Sequence, residues 1–147
     1  MIVYAESSAV LSWLFGEPQG AAVRRTLEAA EFVVTSDLTL VECDRAFHRA
    51  RSLGELSTER FAELRSELGR LASGWILLRL SDEIVERARD AFPEEPIRSL
   101  DALHLASALK TAALIPETAL LTHDDRVRRC ALALGLRLLP PPENGLT

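Results

Sequence analysis

The sequence lacks the features that define several classes of protein. It contains no run of about 18 uninterrupted apolar residues, so we predict no transmembrane helix. The N-terminus has neither a basic region nor a long apolar stretch, and we therefore expect no secretory signal. Cys43 and Cys130 are the only cysteines, and their separation matches no zinc or redox motif. We interpret them as reduced thiols of a cytosolic protein.

Common catalytic motifs are missing as well. The chain has no Gly-rich phosphate loop, no Cys and His pairs with zinc spacing, and no Ser-His-Asp order. The formal net charge of −5 counts against a broad phosphate-binding surface, because nucleic-acid binders are usually basic. The net charge does not exclude a local phosphate-binding surface. All of the 17 cationic residues except Lys110 are Arg, whose planar fork can bond two phosphate oxygens at once.

The chain has the length and composition of one globular domain. Its 147 residues are 48% apolar and 27% charged, which is enough apolar material for a sizeable core. We assign the domain to residues 1–139 and expect residues 140–147, which begin with three prolines, to form a frayed tail.

Short apolar runs alternate with helical segments along the chain. The predicted strands cover residues 2–5, 31–35, 75–80, 119–122 and 136–139. Predicted helices lie between them, and Ser36 or Asp37 can cap the one that runs to about Leu53. Apolar strands without alternation are typical of a parallel sheet that helices cover on both faces. We therefore predict an α/β fold with a central, mainly parallel sheet of four to five strands between helical layers.

Acidic residues follow three of the predicted strands or begin the helices near them. In open α/β sheets, binding sites form beyond the carboxyl ends of the strands. One further acid lies in the first turn of a largely apolar helix, so its carboxylate needs a partner, a cation or water. The set comprises Glu6, Asp37, Glu42, Asp124 and Asp125, with Asp101 in the apolar helix.

Each acid also has an ordinary explanation when it is considered alone. Glu6 could face solvent in a turn, and Glu42 could pair with Arg45 on a helix surface. Asp101 and Asp124 could favour helix N-termini, where a negative charge meets the positive end of the dipole. Converging carboxylates nevertheless repel each other, and a divalent cation such as Mg²⁺ would offset that repulsion. The joint pattern therefore indicates a possible acidic metal site.

Four sequence blocks contain these acids: "MIVYAESSAVLSWLFGE", "TSDLTLVECDRAFHRA", "IRSLDALHLASAL" and "ALLTHDDRVRRCALALGLRLL". In this order they resemble the PIN-domain family, most closely the VapC-type toxins of prokaryotic toxin–antitoxin modules. The resemblance covers nearly the whole chain. It implies an α/β/α sandwich and a Mg²⁺- or Mn²⁺-dependent endoribonuclease. It also implies RNA as substrate, a homodimer and an antitoxin protein as partner.

The resemblance also implies which residues form the site. Asp124 is preferred to Asp125, because the family's acid directly follows a Thr-x pair. Ser8 and Thr122 could support the site by hydrogen bonds, although capping and turn formation are equally open roles. The metal-binding and catalytic residues carried over from the family are Glu6, Glu42, Asp101 and Asp124, of which Glu6 and Asp101 are expected to be the most direct ligands.

The chain departs from the family at Glu6, where the family usually has Asp. Mg²⁺ demands near-ideal geometry, and misplacement by about 1 Å can cost roughly a hundredfold in rate. The alternative function is therefore a PIN-fold binding module with weak or no catalysis. A third possibility, a different acid-site phosphohydrolase, lacks its usual Asp-x-Asp after the first strand. We predict His104, inside the apolar helix, to be packed or hydrogen-bonded rather than a ligand.

Overall fold

The computed structural model describes residues 1–142, and its strands form a single parallel sheet. The strands are β1 (Ile2–Ala5), β2 (Phe32–Ser36), β3 (Ile76–Leu78), β4 (Ala119–Leu121) and β5 (Arg137–Leu139). Their order in the five-stranded sheet is β3-β2-β1-β4-β5, and each neighbouring pair is parallel. The predicted parallel sheet is thus confirmed, with β1 at its centre.

Helices connect the strands and lie on both faces of the sheet. They are α1 (Ser7–Leu14), α2 (Gly20–Ala29), α3 (Asp37–Ser52), α4 (Thr58–Ser73), α5 (Asp82–Arg89), α6 (Ser99–Leu114) and α7 (Asp125–Ala133). Because successive residues of a strand point to opposite faces, β1 contributes to two separate cores. Val3 packs with apolar residues of α1–α4, and Tyr4 packs with apolar residues of α6 and α7. This is the predicted three-layer α/β/α arrangement.

Short polar side chains cap the N-termini of several helices. The sequence allows either Ser36 or Asp37 to cap α3, and the structure selects Ser36, whose Oγ accepts a hydrogen bond from Leu38 N at 3.1 Å. Ser57 Oγ likewise accepts from Arg60 N at 3.0 Å at the start of α4. These caps satisfy backbone N–H groups that would otherwise lack partners in the first helical turn.

Strand β3 differs from the buried strand that the sequence predicts. It spans Ile76–Leu78 rather than residues 75–80, and the side chains of Ile76 and Leu77 are exposed. The reason is its position: among residues 1–142, β3 is an edge strand that pairs only with β2. An apolar run does not by itself distinguish a central strand from an exposed edge.

Several expectations concern the chain as a whole. None of the helices in residues 1–142 has the combination of length and hydropathy that crossing a bilayer takes. The assignment of residues 1–139 to one domain stays a prediction. The frayed tail predicted over 140–147 lies, from residue 143 onward, outside the described residues.

Gly20 permits the close approach of α2 to α1, and this generates a prediction about stability. A Cβ atom at Gly20 would clash with Ser12 O and lie 2.9 Å from Trp13 Cα, both backbone atoms. We expect Gly20→Ala to lower the free energy of unfolding by about 1–3 kcal/mol, as overpacking does. The measurement is urea denaturation followed by circular dichroism.

Gly69 in α4 is the matched control, because a Cβ there would meet nothing within 4 Å. Gly69→Ala is expected to raise the free energy of unfolding by about 0.5–1 kcal/mol, through the better helix propensity of Ala. Equal effects of the two substitutions would contradict the close approach at Gly20.

Candidate active site

The carboxyl ends of the central strands lie side by side, and a helix begins directly after each of them. Glu6 is the N-cap of α1 after β1, Ser36 is the N-cap of α3 after β2, and Asp124 is the N-cap of α7 after β4. Helix N-termini carry free N–H groups and a partial positive charge. The topology therefore brings anion-binding backbone and acidic side chains to one edge of the sheet.

The carboxylate of Glu6 folds back onto the start of α1 and is buried, with 4% of the residue exposed. Its Oε1 accepts a hydrogen bond from Ser7 Oγ at 2.6 Å. Its Oε2 accepts from Ser8 N at 3.1 Å, from Ser8 Oγ, and from Thr122 Oγ1 at 2.8 Å. These donors restrain the carboxylate, so the longer and less rigid side chain of Glu still holds a defined position.

Ser8 and Thr122 join the two turns on which the site is built. Their hydroxyl oxygens lie 3.2 Å apart. Ser8 Oγ also accepts from His123 N at 3.0 Å, and Thr122 Oγ1 accepts from Asp124 N at 3.2 Å. The anticipated hydrogen bonds of Ser8 and Thr122 are therefore present, and they connect the turn after β1 to the turn after β4.

Glu42 on α3 faces His104 on α6. His104 Nε2 hydrogen-bonds Glu42 Oε1 and lies 3.7 Å from Glu6 Oε1. Since a carboxylate can only accept, Nε2 carries the hydrogen of that bond. His104 Nδ1 lies 3.2 Å from Tyr4 Oη. Burial raises the pKa of Tyr4 well above its ordinary value, so its hydroxyl remains protonated and can donate to Nδ1.

Glu6, Glu42 and His104 form a compact group of potential metal ligands. One ligand atom from each residue lies within 4.8 Å of the others. Two carboxylates this close suit a hard divalent cation, which prefers oxygen ligands. In the described geometry His104 supports Glu42 by its N–H group, the role that outer-shell partners of ligands commonly have. The donor set therefore fits Mg²⁺ or Mn²⁺.

Asp101 and Asp124 are joined by Arg98. Arg98 Nε donates to Asp101 Oδ2 at 2.7 Å, and its Nη2 lies 3.3 Å from Asp101 Oδ1 and 3.0 Å from Asp124 Oδ2. The other oxygen of Asp124 accepts from the backbone N of Arg126 and of Val127. The hydrogen bond to Asp101 raises the pKa of Arg98 above its ordinary value.

The structure thus arranges the carboxylates proposed from the sequence as two pairs. Glu6 and Glu42 lie around His104, and Asp101 and Asp124 lie around Arg98. Thr122 connects the pairs, because its hydroxyl contacts both Glu6 Oε2 and Asp124 N. The two remaining acids lie at the first positions of helices, Asp37 in α3 and Asp125, which is exposed, in α7.

Sequence reasoning did not assign Arg98 or His104 to the site. His104 is both packed and hydrogen-bonded, as predicted, and its contact with Glu42 is an additional finding. A signal was available, because both residues lie three positions from Asp101, in opposite directions. Residues three apart share one face of a helix. The face that carries Asp101 therefore also presents a base and a cation to the site.

Comparison with known proteins is decisive about the family. A sequence profile of the PIN domain matches residues 3–132. The chain belongs to the PIN-domain family. A curated relative, Ribonuclease VapC35 of Mycobacterium tuberculosis, is 32% identical over 142 residues, which cover 95% of this chain and 97% of the relative.

Solved structures with low sequence identity share the PIN fold. VapBC2 from Rickettsia felis, bound to a DNA fragment from its promoter, aligns with a TM-score of 0.66 and 16% identity over 94% of this chain and 97% of its own. VapC20 of M. tuberculosis, described as a sarcin-ricin loop cleaving toxin, aligns with a TM-score of 0.62 and 14% identity over 86% of this chain and 93% of its own. These similarities confirm the predicted fold class.

The position of Thr122 generates a prediction about the stability of this PIN domain. Thr122→Val keeps the volume but removes a donor to the buried Glu6 carboxylate and the acceptor for Asp124 N. We expect it to lower the free energy of unfolding by about 1–3 kcal/mol, the usual cost of an unsatisfied buried polar group. Thr122→Ser, which keeps the hydroxyl, should lower the free energy of unfolding by less, as measured by urea denaturation. A larger loss for Ser than for Val would contradict the hydrogen-bonding role.

Proposed function

We propose that this PIN domain is a metal-dependent endoribonuclease and the toxin of a toxin–antitoxin system, hydrolysing RNA phosphodiester bonds. The observation that carries the proposal is the arrangement of the acids as two pairs, Glu6 with Glu42 around His104 and Asp101 with Asp124 around Arg98, with Thr122 in contact with both pairs. The relative named Ribonuclease VapC35, similar over nearly its full length, supports the same activity.

The residues of the site have separate tasks in this proposal. Glu6, Glu42, Asp101 and Asp124 would hold Mg²⁺ or Mn²⁺, which supplies neutralising charge and a water that ionises more readily. Hydroxyl groups and the backbone around Glu6 keep its carboxylate in place, so little reorganisation is needed for binding. The Nε2–H group of His104 orients the carboxylate of Glu42.

The substrate we propose is RNA with an exposed single-stranded segment. Sequence-specific RNA recognition mostly uses loops and ends, whose backbone and bases are accessible. The description of VapC20, a protein of similar fold, as a sarcin-ricin loop cleaving toxin supports this class. Arg side chains around the site can bind phosphate even though the whole chain carries a net charge of −5.

We also propose an antitoxin protein as partner, a homodimer, and a cytoplasmic location. The VapBC toxin–antitoxin complexes among the proteins of similar fold support the first, and the family resemblance supports the second. Cys43 and Cys130 are free and buried, as suits a protein of a reducing compartment.

Asp101→Asn tests the proposed activity, because it removes a carboxylate charge and keeps the side-chain volume. Purified protein without antitoxin should cleave RNA with Mg²⁺ or Mn²⁺ and should not cleave in EDTA. Asp101→Asn should lose at least about a hundredfold in rate, since a misplaced or missing ligand has that effect. Circular dichroism of both proteins checks that the variant is folded. Wild-type rates from Asp101→Asn would refute this site.

Glu6→Asp tests the alternative of a binding module with weakened catalysis. Shortening the side chain withdraws the carboxylate from Thr122 Oγ1 and from the neighbourhood of His104. We expect Glu6→Asp to cleave about tenfold more slowly than wild type, because the surrounding donors match Glu. Faster cleavage by Glu6→Asp, together with an inactive wild type that still binds antitoxin, would favour the binding module.

A further inference from the structure

Arg98 lies where a cation is expected on the Asp101 and Asp124 pair. Its fork covers both carboxylate oxygens of Asp101, at 2.7 and 3.3 Å, and the outward oxygen of Asp124, at 3.0 Å. The inward oxygen of Asp124 accepts from the backbone N–H groups of α7. The guanidinium therefore engages the oxygens of this pair that are not already committed to backbone donors.

The burial of Asp101 explains why a counter-ion is needed. Asp101 is 7% exposed, and among residues 1–142 its carboxylate hydrogen-bonds to Arg98 alone. A buried carboxylate without a positive partner is costly. Arg98 and a divalent cation can each provide that charge through the same oxygen atoms. Two positive charges held this close repel each other, so occupancy by one opposes binding of the other.

Arg98 is also free to leave. Its side chain is 58% exposed, whereas the side chain of Asp101 is 10% exposed. It is the N-cap residue of α6 but makes no side-chain capping bond, so the helix start does not depend on its position. Within the described residues, its guanidinium bonds only to Asp101 and Asp124. If Arg98 is displaced, its guanidinium group therefore presents an unpaired positive charge at the rim of the site.

We propose that Arg98 alternates between two anions: the carboxylates of Asp101 and Asp124 when metal is absent, and a phosphate of the RNA substrate when a divalent cation takes those carboxylates. The bidentate geometry of the guanidinium suits both anions. Arg98 is then a substrate-binding residue that metal loading releases. The phosphate half of the proposal rests on the proposed nuclease function, whereas the competition with metal does not.

The first test measures Mn²⁺ binding by isothermal titration calorimetry. Arg98→Gln removes the competing cation, so we expect it to bind Mn²⁺ about tenfold more tightly than wild type. Arg60→Gln is the matched control. Arg60 forms the same kind of i,i+3 ion pair, with Glu63, and hydrogen-bonds the backbone of Leu14, at the other end of α1 from Glu6. Unchanged or weaker Mn²⁺ binding by Arg98→Gln would refute the competition.

The second test measures binding of a fluorescent 2′-O-methyl RNA oligonucleotide, with Mn²⁺ and with EDTA. In Mn²⁺, Arg98→Gln should bind about five- to tenfold more weakly than wild type, as loss of a phosphate contact does. In EDTA the weakening should be smaller, because the Arg98 of the wild type is then held by Asp101 and Asp124. Equal weakening in both conditions, or no weakening in either, would refute the alternation. Arg60→Gln should match wild type throughout.

The two tests separate failure of this inference from failure of the proposed function. If the protein cleaves no RNA but Arg98→Gln still binds Mn²⁺ more tightly, the competition between Arg98 and metal is supported and the proposed nuclease activity is not. If the protein cleaves RNA but Arg98→Gln binds Mn²⁺ and the oligonucleotide like wild type, the nuclease activity is supported and the proposed role of Arg98 is refuted.

Discussion

Mutual repulsion between carboxylates is the constraint on which the rest of this structure depends. Parallel strands place their carboxyl ends at one edge of the sheet, so acids that follow different strands necessarily converge there. Convergence in a partly buried place is unfavourable unless donors or cations surround each carboxylate. The polar residues at this edge, including Ser7 and Arg98, provide these donors and cations.

The molecule meets the requirement in two different ways. Around Glu6 it uses neutral donors, hydroxyl groups and a backbone N–H, which stabilise the carboxylate and leave its charge uncompensated. Around Asp101 it uses a full positive charge on a long, exposed side chain. Fixed neutral donors suit a ligand that stays in place, whereas a mobile cation suits a position that changes its occupant. The asymmetry agrees with the division of labour proposed for the site.

The fold was largely accessible from the sequence, because βα alternation and apolar strands are direct consequences of a parallel sheet between helices. The edge position of β3 was not, since strand order depends on contacts between segments far apart in the chain. The acids could be named, and the spacing of Arg98, Asp101 and His104 indicates one shared helix face, but which acids Arg98 and His104 contact could not be read from the sequence. That pairing depends on which face of α6 turns towards the sheet, and α6 is apolar nearly all round. A helix without a clear polar stripe gives little indication of its rotation.

Tyr4 belongs to two systems that are usually described separately. Its ring is part of the apolar core under α6 and α7, and its hydroxyl contacts His104, whose other nitrogen bonds Glu42. The interior packing on that face therefore sets the position of an imidazole that the acidic edge relies on. In evolutionary terms, this core cannot drift freely: a replacement that fills the same volume without a hydroxyl preserves the fold and still alters the chemistry.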